Sequence, residues 1–189
     1  NKRYARLKNI YMRTSLNSEH PSPDFILRPT RLEDIEPYTL FLSNPEVTIW
    51  LDDFFQKPIT RVQVEGLFHQ DSWCRWAIEC ENKFVGLTAL TDPDLSRGIA
   101  RFFIVIGETS LWGQNLGTNI LREVLKLGFN SMGLRKINSD YLEPNIASEK
   151  IHEQNGFKIE GTLRNDCWRQ GKWVNRKLLS LLREEYNAS

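Results

Sequence analysis

The stretch Arg101–Ser131 reads RFFIVIGETSLWGQNLGTNILREVLKLGFNS. It opens on Phe102-Phe103-Ile104-Val105-Ile106, a short apolar run of β-branched and aromatic residues, which predicts a buried strand. A polar turn, Gly107–Ser110, follows. The period then changes, with Leu116, Ile120, Leu121, Val124, Leu125, Leu127 and Phe129 recurring at helical spacing. Between strand and helix lies Trp112-Gly113-Gln114-Asn115-Leu116-Gly117-Thr118. A strand, a glycine-containing turn and a helix suit the holding of phosphate. The first helical turn offers unpaired N–H groups and the positive end of the dipole, and glycine lets a ligand approach the backbone. The same turn also reads as plain chain geometry. It contains neither Gly-Lys-Ser/Thr nor a complete G-x-G-x-x-G, so Walker and dinucleotide fingerprints are absent.

Outward from this stretch, 189 residues suffice for one ordinary α/β domain with a real core. A net charge of +1 gives no global basic field for nucleic acid. The three cysteines, Cys74, Cys80 and Cys167, cannot all pair and lack metal-ligand spacing, so we expect reduced thiols, no metal and a cytoplasmic protein. No apolar run reaches transmembrane length, and the basic N-terminus lacks the apolar core of a signal peptide. Residues 1–23 read as a leader, either flexible or bearing a short helix through Tyr4, Leu7, Ile10 and Tyr11; residues 24–189 read as a single domain.

Toward the N-terminus, Phe25–Arg28 predicts a strand and Leu32–Leu42 a helix ending before Asn44-Pro45. Thr60 caps a second helix running to about Gln70. Between these helices lie Trp50, Asp52 and Asp53. Paired aspartates attract cationic amines and an indole holds them by cation–π contact; the same residues also read as core and solvated turn. Trp73–Cys80 and Phe84–Leu90 predict a hairpin, Thr91–Gly98 a polar loop, and Ile99–Ile106 the next strand. On the C-terminal side, Lys136–Leu142 predicts a strand running into Glu143-Pro144-Asn145. Asn145 then caps a helix from Ile146 to about Gln154. Asn145, Ser148 and His152 share one face of that helix, as a polar site or merely as a cap and two solvated side chains. Phe157–Leu163 and Val174–Leu182 are strands around a loop or hairpin tip at Asn165–Trp173, and Arg183–Ser189 is a polar tail.

Taken together, Trp112–Gly117, Asn145-Ile146-Ala147-Ser148, Asn155-Gly156-Phe157, Glu160-Gly161 and Arg164 resemble the GNAT acetyltransferase superfamily in order and spacing. The nearest branch holds the ribosomal-protein N-terminal acetyltransferases and spermidine acetyltransferase. The family's acetyl-CoA loop reads Q/R-x-x-G-x-G/A. Here Trp112 stands at the Gln/Arg position, Asn115 replaces the first glycine, and Gly117 keeps the second. Asn tolerates positive φ better than most residues.

The resemblance implies an α/β (α+β) GNAT fold: a mixed, mostly antiparallel sheet of about seven strands with about four helices. Central strands four and five splay apart to admit the pantetheine arm. It implies acetyl-CoA as cofactor, held by Phe103, Ile104, Val105, Ile106, the Trp112–Thr118 turn (Trp112, Gly113, Gln114, Asn115, Leu116, Gly117, Thr118), Asn145 and Ser148. Trp50, Asp52, Asp53, Arg101 and Tyr141 are the implied acceptor contacts.

The implied reaction is acetyl transfer to an amine. Such a reaction needs a deprotonated amine, a donor to the carbonyl oxygen and an acid for the departing thiolate. Ser148 and His152 both match family positions for the acid. A backbone N–H near Ile104 or Val105 matches the oxyanion donor. The common glutamate of the fourth strand is here Arg101, so Glu79, Asp140, a neutral His152 or a water chain would supply the base. The acceptor is expected to be a small-molecule amine, polyamine or aminosugar. A protein N-terminus or lysine is the alternative, and a non-catalytic acyl-CoA-binding module the alternative of another class. A homodimer is expected by analogy, with no nucleic-acid or membrane partner.

Overall fold

In the computed structural model the described residues are 10–13, 21–69 and 74–188. The helix expected through Tyr4 and Leu7 lies outside them. Eight strands form one sheet in the order β1-β2-β3-β4-β5-β6-β8-β7. They are β1 Met12–Arg13, β2 Ile26–Arg28, β3 Cys74–Cys80, β4 Lys83–Asp94, β5 Ile99–Ile106, β6 Lys136–Leu142, β7 Lys158–Arg169 and β8 Lys172–Leu182. All neighbours are antiparallel except β5 and β6. Six α-helices are described: α1 Ile35–Leu42, α2 Pro45–Thr48, α3 Arg61–Phe68, α4 Leu116–Lys126, α5 Ile146–Glu153 and α6 Arg183–Ala188. This is the expected GNAT architecture. The additional strand is β1, so the fourth and fifth strands of the sequence reading are β5 and β6.

Alternation along the central strands divides the core into two layers. Phe102, with Ile104 and Ile106 packed against it, faces Leu116, Ile120, Leu121 and Val124 of α4. Val105, with Phe103 packed alongside, faces Ile35, Tyr38 and Leu42 of α1 and Val47 of α2. Gly107 ends β5 beneath α1: a Cβ there would sit 2.0 Å from the Phe41 ring, so only glycine lets that helix approach.

The expected loop at Thr91–Gly98 is shorter than its polarity suggested, because β4 continues to Asp94. The Asn165–Trp173 tip is likewise strand on both sides of a tight turn at Gln170-Gly171. The expected polar tail contains α6. Its Tyr186 lies 4.9 Å from Phe129, ring to ring, and its Glu185 carboxylate accepts the Leu182 N–H. All three cysteines are buried, and none is joined in a disulfide. Among the described residues no helix is long and apolar enough to cross a membrane.

Candidate active site

β5 pairs with β4 from Asp94↔Ile99 to Gly86↔Ile106, with one register shift between Thr91 and Asp94. It pairs with β6 only at Ile99↔Lys136, Ala100↔Ile137 and Arg101↔Asn138. Beyond Arg101 the two strands diverge, and the expected splay is present. The ladder also shows which backbone groups face the gap. Gly107 N–H donates to Val85 C=O at 2.8 Å. In an antiparallel ladder such bonded pairs recur at every second residue, so Val105 and Phe103 address β4. The N–H and C=O of Ile104 and Ile106 therefore point into the gap. One of them is already taken: Trp112 Nε1–H donates to Ile106 C=O at 2.9 Å.

A groove of about 620 Å³ occupies this gap, within the usual span of small-molecule sites. Its floor is Ile104, Val105 and Ile106. One wall is the turn before α4 with that helix's first residues, Trp112, Gly113, Asn115, Leu116, Gly117 and Thr118. A second is α5, with Asn145, Ile146, Ala147, Ser148, Lys150, Ile151, Glu153 and Gln154. The third is α2 and its exit, with Glu46, Val47, Trp50 and Leu51; Leu111 completes the lining.

The turn before α4 is built on two positive φ angles, +75° at Gly113 and +58° at Asn115. Asn115 thus adopts the left-handed conformation for which asparagine is the next best residue after glycine. Its side chain also donates to Pro21 C=O at 3.2 Å, and Asn119 Nδ2 donates to Ser22 Oγ at 2.8 Å, which ties the segment before β2 to α4. Gly117 has a different role: a Cβ there would lie 2.5 Å from Ile151 Cδ1, so this glycine leaves room for the Ile151 side chain of α5 against α4. The first N–H of α4 with a main-chain partner within the helix is that of Asn119, which bonds Asn115 C=O. The amides before it are therefore available at the positive end of the helix dipole.

On α5, the Asn145 side chain accepts the Ser148 N–H at 3.1 Å, the expected cap. Ser148 lines the groove. His152 does not; it is 2 % exposed. Its Nδ1 lies 2.7 Å from Ser148 C=O, an acceptor only, so the proton is on Nδ1 and Nε2 accepts from the Ser139 hydroxyl at 2.7 Å. Tyr141 stacks on the ring at 5.9 Å, and Phe102 and Phe157 meet it edge-on.

Burial holds the His152 pKa below its ordinary 6.5, against the smaller opposing effects of the Ser148 carbonyl and the Asp140 charge. The unfolded chain therefore binds a proton that the native ring resists. Stability is complete above pH 6.5 and falls as pH drops through that value. Denaturant unfolding compared at about pH 7.5 and about pH 5.5 is expected to show this loss, and His152→Gln to remove much of the slope. Carboxylates held low by hydrogen bonds, such as Asp166 beside Arg176 and Glu160 beside Lys136, act in a more acidic window. An identical slope in the variant would refute the assignment.

The remaining residues singled out by sequence lie elsewhere. Glu79 Oε2 accepts from Arg28 Nε at 2.6 Å, within a buried network that includes Asp34. Asp52 pairs with Arg176 at 2.9 Å and Asp53 with Arg169 at 2.8 Å. Arg101 pairs with Asp140, which also pairs with Arg176. Burial lowers the pKa of the Arg176 guanidinium, but Asp166 and Asp140 more than offset this and hold it above its ordinary value. Tyr141 is buried, and its hydroxyl donates to Glu149 at 3.1 Å; burial, then that carboxylate, raises its pKa to about 12. Phe103 stacks on Phe55 in the α1-side core, and the Gln114 amide donates to Ser110 C=O. The groove thus collects Trp50, Ile104, Val105, Ile106, Trp112, Gly113, Asn115, Leu116, Gly117, Thr118, Asn145 and Ser148 from the sequence reading.

Glu46, Val47, Leu51, Leu111, Lys150, Ile151, Glu153 and Gln154 also line it and were not singled out. On α5 the signal was present but rotated. Ala147, Lys150, Ile151 and Gln154 form the adjoining helical stripe, one step around from the Asn145–Ser148–His152 face.

Residues 24–158 match the family model described as acetyltransferase (GNAT) domain. Spermidine N(1)-acetyltransferase of Escherichia coli (strain K12) is 26% identical over 170 residues, covering 86% of this chain and 88% of the relative. The SPbeta prophage-derived uncharacterized N-acetyltransferase YokL of Bacillus subtilis (strain 168) is 26% identical over 129 residues, 68% of this chain and 72% of the relative. Among solved structures, spermidine N-acetyltransferase from Vibrio cholerae in complex with CoA and spermine superposes with a TM-score of 0.77 at 21% identity, covering 86% of this chain and 98% of that one.

Proposed function

The chain belongs to the acetyltransferase (GNAT) domain family, and from that premise we propose that it moves an acetyl group from acetyl-CoA to a primary amine of a small molecule. The observation that carries this reading is the continuity of one groove, from the N-terminus of α4 through the splay to α2. An anion cradle and an acceptor wall then meet at unpaired strand amides.

Bound acetyl-CoA supplies a thioester that a free amine attacks directly, with the thiol as leaving group. The residues present fit it. Gly113 and Asn115, in their left-handed conformations, and the free amides at the start of α4 suit a pyrophosphate. Ile104 C=O and Ile106 N–H suit an extended arm added beside β5. Ile104 N–H is the gap-facing donor for a carbonyl oxygen; Val105 N–H is committed to β4. Ser148 is the proton donor to sulfur. His152 Nδ1–H already serves the Ser148 carbonyl, and the serine Oγ is 3.4 Å from that nitrogen, leaving its O–H proton for the groove. Of the candidate bases, Glu79 is held by Arg28, Asp140 lies between Arg101 and Arg176, and His152 is buried with both ring nitrogens engaged, so a water chain takes the amine's proton.

Calorimetric titration with acetyl-CoA is expected to give one site per chain with micromolar affinity, followed by thiol release with a diamine or aminosugar. Absence of heat at several temperatures would overturn the cofactor assignment. Binding without thiol release from any amine would favour an acyl-CoA-binding module, and release confined to peptides would favour a protein acceptor.

A further inference from the structure

The two residues that follow α5 grip the first turn of α4. The Asn155 amide nitrogen donates to Ile151 C=O at 2.8 Å and to Thr118 C=O at 3.1 Å. The Thr118 hydroxyl donates to Gln154 Oε1 at 2.7 Å. Thr118, 2% exposed, is therefore held from α5 by its main chain and by its side chain. At the residue before it, the Ile151 side chain takes the space that a Cβ on Gly117 would need.

The end of α5 is itself fixed. The Asn155 N–H bonds His152 C=O at 3.1 Å, Gly156 turns the chain at φ +78°, and the Phe157 N–H returns to the same His152 carbonyl at 3.1 Å. Phe157 is buried, its ring edge-on to His152. Asn155 thus reaches α4 from an anchored backbone. Both partners of its amide nitrogen are carbonyls, which only an N–H donor satisfies. Asn155 itself does not line the groove. What it holds does: the Thr118 N–H is among the amides at the start of α4 that have no main-chain partner within the helix. Ser148 stands about two turns of helix before Asn155.

We propose that Asn155 is a positioning residue, which together with Gln154 locks α4 to α5 and so keeps the amides that receive the cofactor's pyrophosphate in register with the Ser148 hydroxyl. This inference rests on the acetyltransferase reading above and adds to it the residue that couples the two ends of the cofactor groove.

The test uses Asn155→Leu, which removes the amide donor at similar volume, and Thr118→Val, which removes the hydroxyl donor alone. Calorimetry gives the CoA Kd. Steady-state thiol release with 1,4-diaminobutane compares acetyl-CoA with acetyl-pantetheine, which presents the same thioester without the pyrophosphate. Asn155→Leu is expected to weaken CoA binding about tenfold, the loss of two hydrogen bonds, and to lower kcat/KM for acetyl-CoA by at least that factor. Its kcat/KM for acetyl-pantetheine stays within about twofold of wild type, because that donor has no pyrophosphate to be held in register. Thr118→Val weakens CoA binding about threefold and decides the matter if Asn155→Leu does not fold. Wild-type CoA affinity in both variants would overturn the proposal, as would an equal fall with the two acetyl donors, the sign of a general loss of structure. If wild type binds CoA but releases no thiol with any amine, the catalytic reading fails and the CoA Kd alone decides the clamp. Weaker binding by Asn155→Leu upholds it; equal binding, or none in wild type, refutes it.

Discussion

Replacing Arg28 by alanine is expected to lower folding stability by roughly 3–5 kcal/mol, the cost of leaving buried charge unpaired. Arg28 and Asp34 have side-chain exposures of 5% and 2%, and their two-pronged contact has both N···O distances at 2.8 Å. The same guanidinium holds Glu79 at 2.6 Å. Hydrogen bonding to Asp34 first, and then to Glu79, raises the Arg28 pKa above its ordinary value despite burial. Alanine therefore strands two carboxylates, one fully buried. The Tm should fall by roughly 10 °C. Asp34→Leu in the same chain should recover part of the loss, since an apolar pair often replaces a buried ion pair at little cost. Recovery stays incomplete because Asp34 also accepts the Arg31 N–H at 2.7 Å, and Glu79 remains uncovered. A Tm within about 2 °C of wild type for Arg28→Ala would show that these groups rehydrate, contrary to the buried geometry.

This network also shows where sequence reading stops. Glu79 was a candidate base because its residue type fits that chemistry. Its neighbours come from β2 and the turn before α1, distant in the chain, and they make it a structural anion. Asp52 and Asp53 follow the same pattern, since their partners Arg169 and Arg176 lie on a hairpin more than a hundred residues away. Local signals fared better. The apolar run Ile99–Ile106 gave β5, the Thr60 cap is reciprocated by Gln63, and Asn145 caps α5. Asn115 adopts the left-handed backbone that its residue type tolerates. The splay was legible only through family resemblance, because no residue between Phe102 and Ile106 announces the loss of a partner strand. Helix α2 was invisible for another reason. One turn is too short for periodicity to register, so Glu46 and Val47 went unread as groove lining.

Ser148→Ala is expected to lower kcat about 100-fold, the smaller end of the range for removing a positioned acid, while leaving the acetyl-CoA Kd within about twofold. The fold should tolerate the change. Ser148 stabilises α5 through its main chain, with the N–H bonded to Asn145 Oδ1 and the C=O to His152 Nδ1, and alanine keeps both. Only the hydroxyl, which lies outside the histidine's short bond, is lost. Ser148→Thr restores a hydroxyl at the same Cβ and should recover much of the rate, a rescue that a packing role would not give. His152→Gln supplies the contrast. Its ring is enclosed by Tyr141, Phe102 and Phe157 with both nitrogens engaged, so this variant should change stability and its pH slope more than the chemical step. Single-turnover rates, which isolate the transfer from product release, separate the two residues. If Ser148→Ala transfers acetyl at the wild-type rate and His152→Gln does not, the proton reaches sulfur from the imidazole. The buried, neutral geometry of His152 would then have to open during turnover.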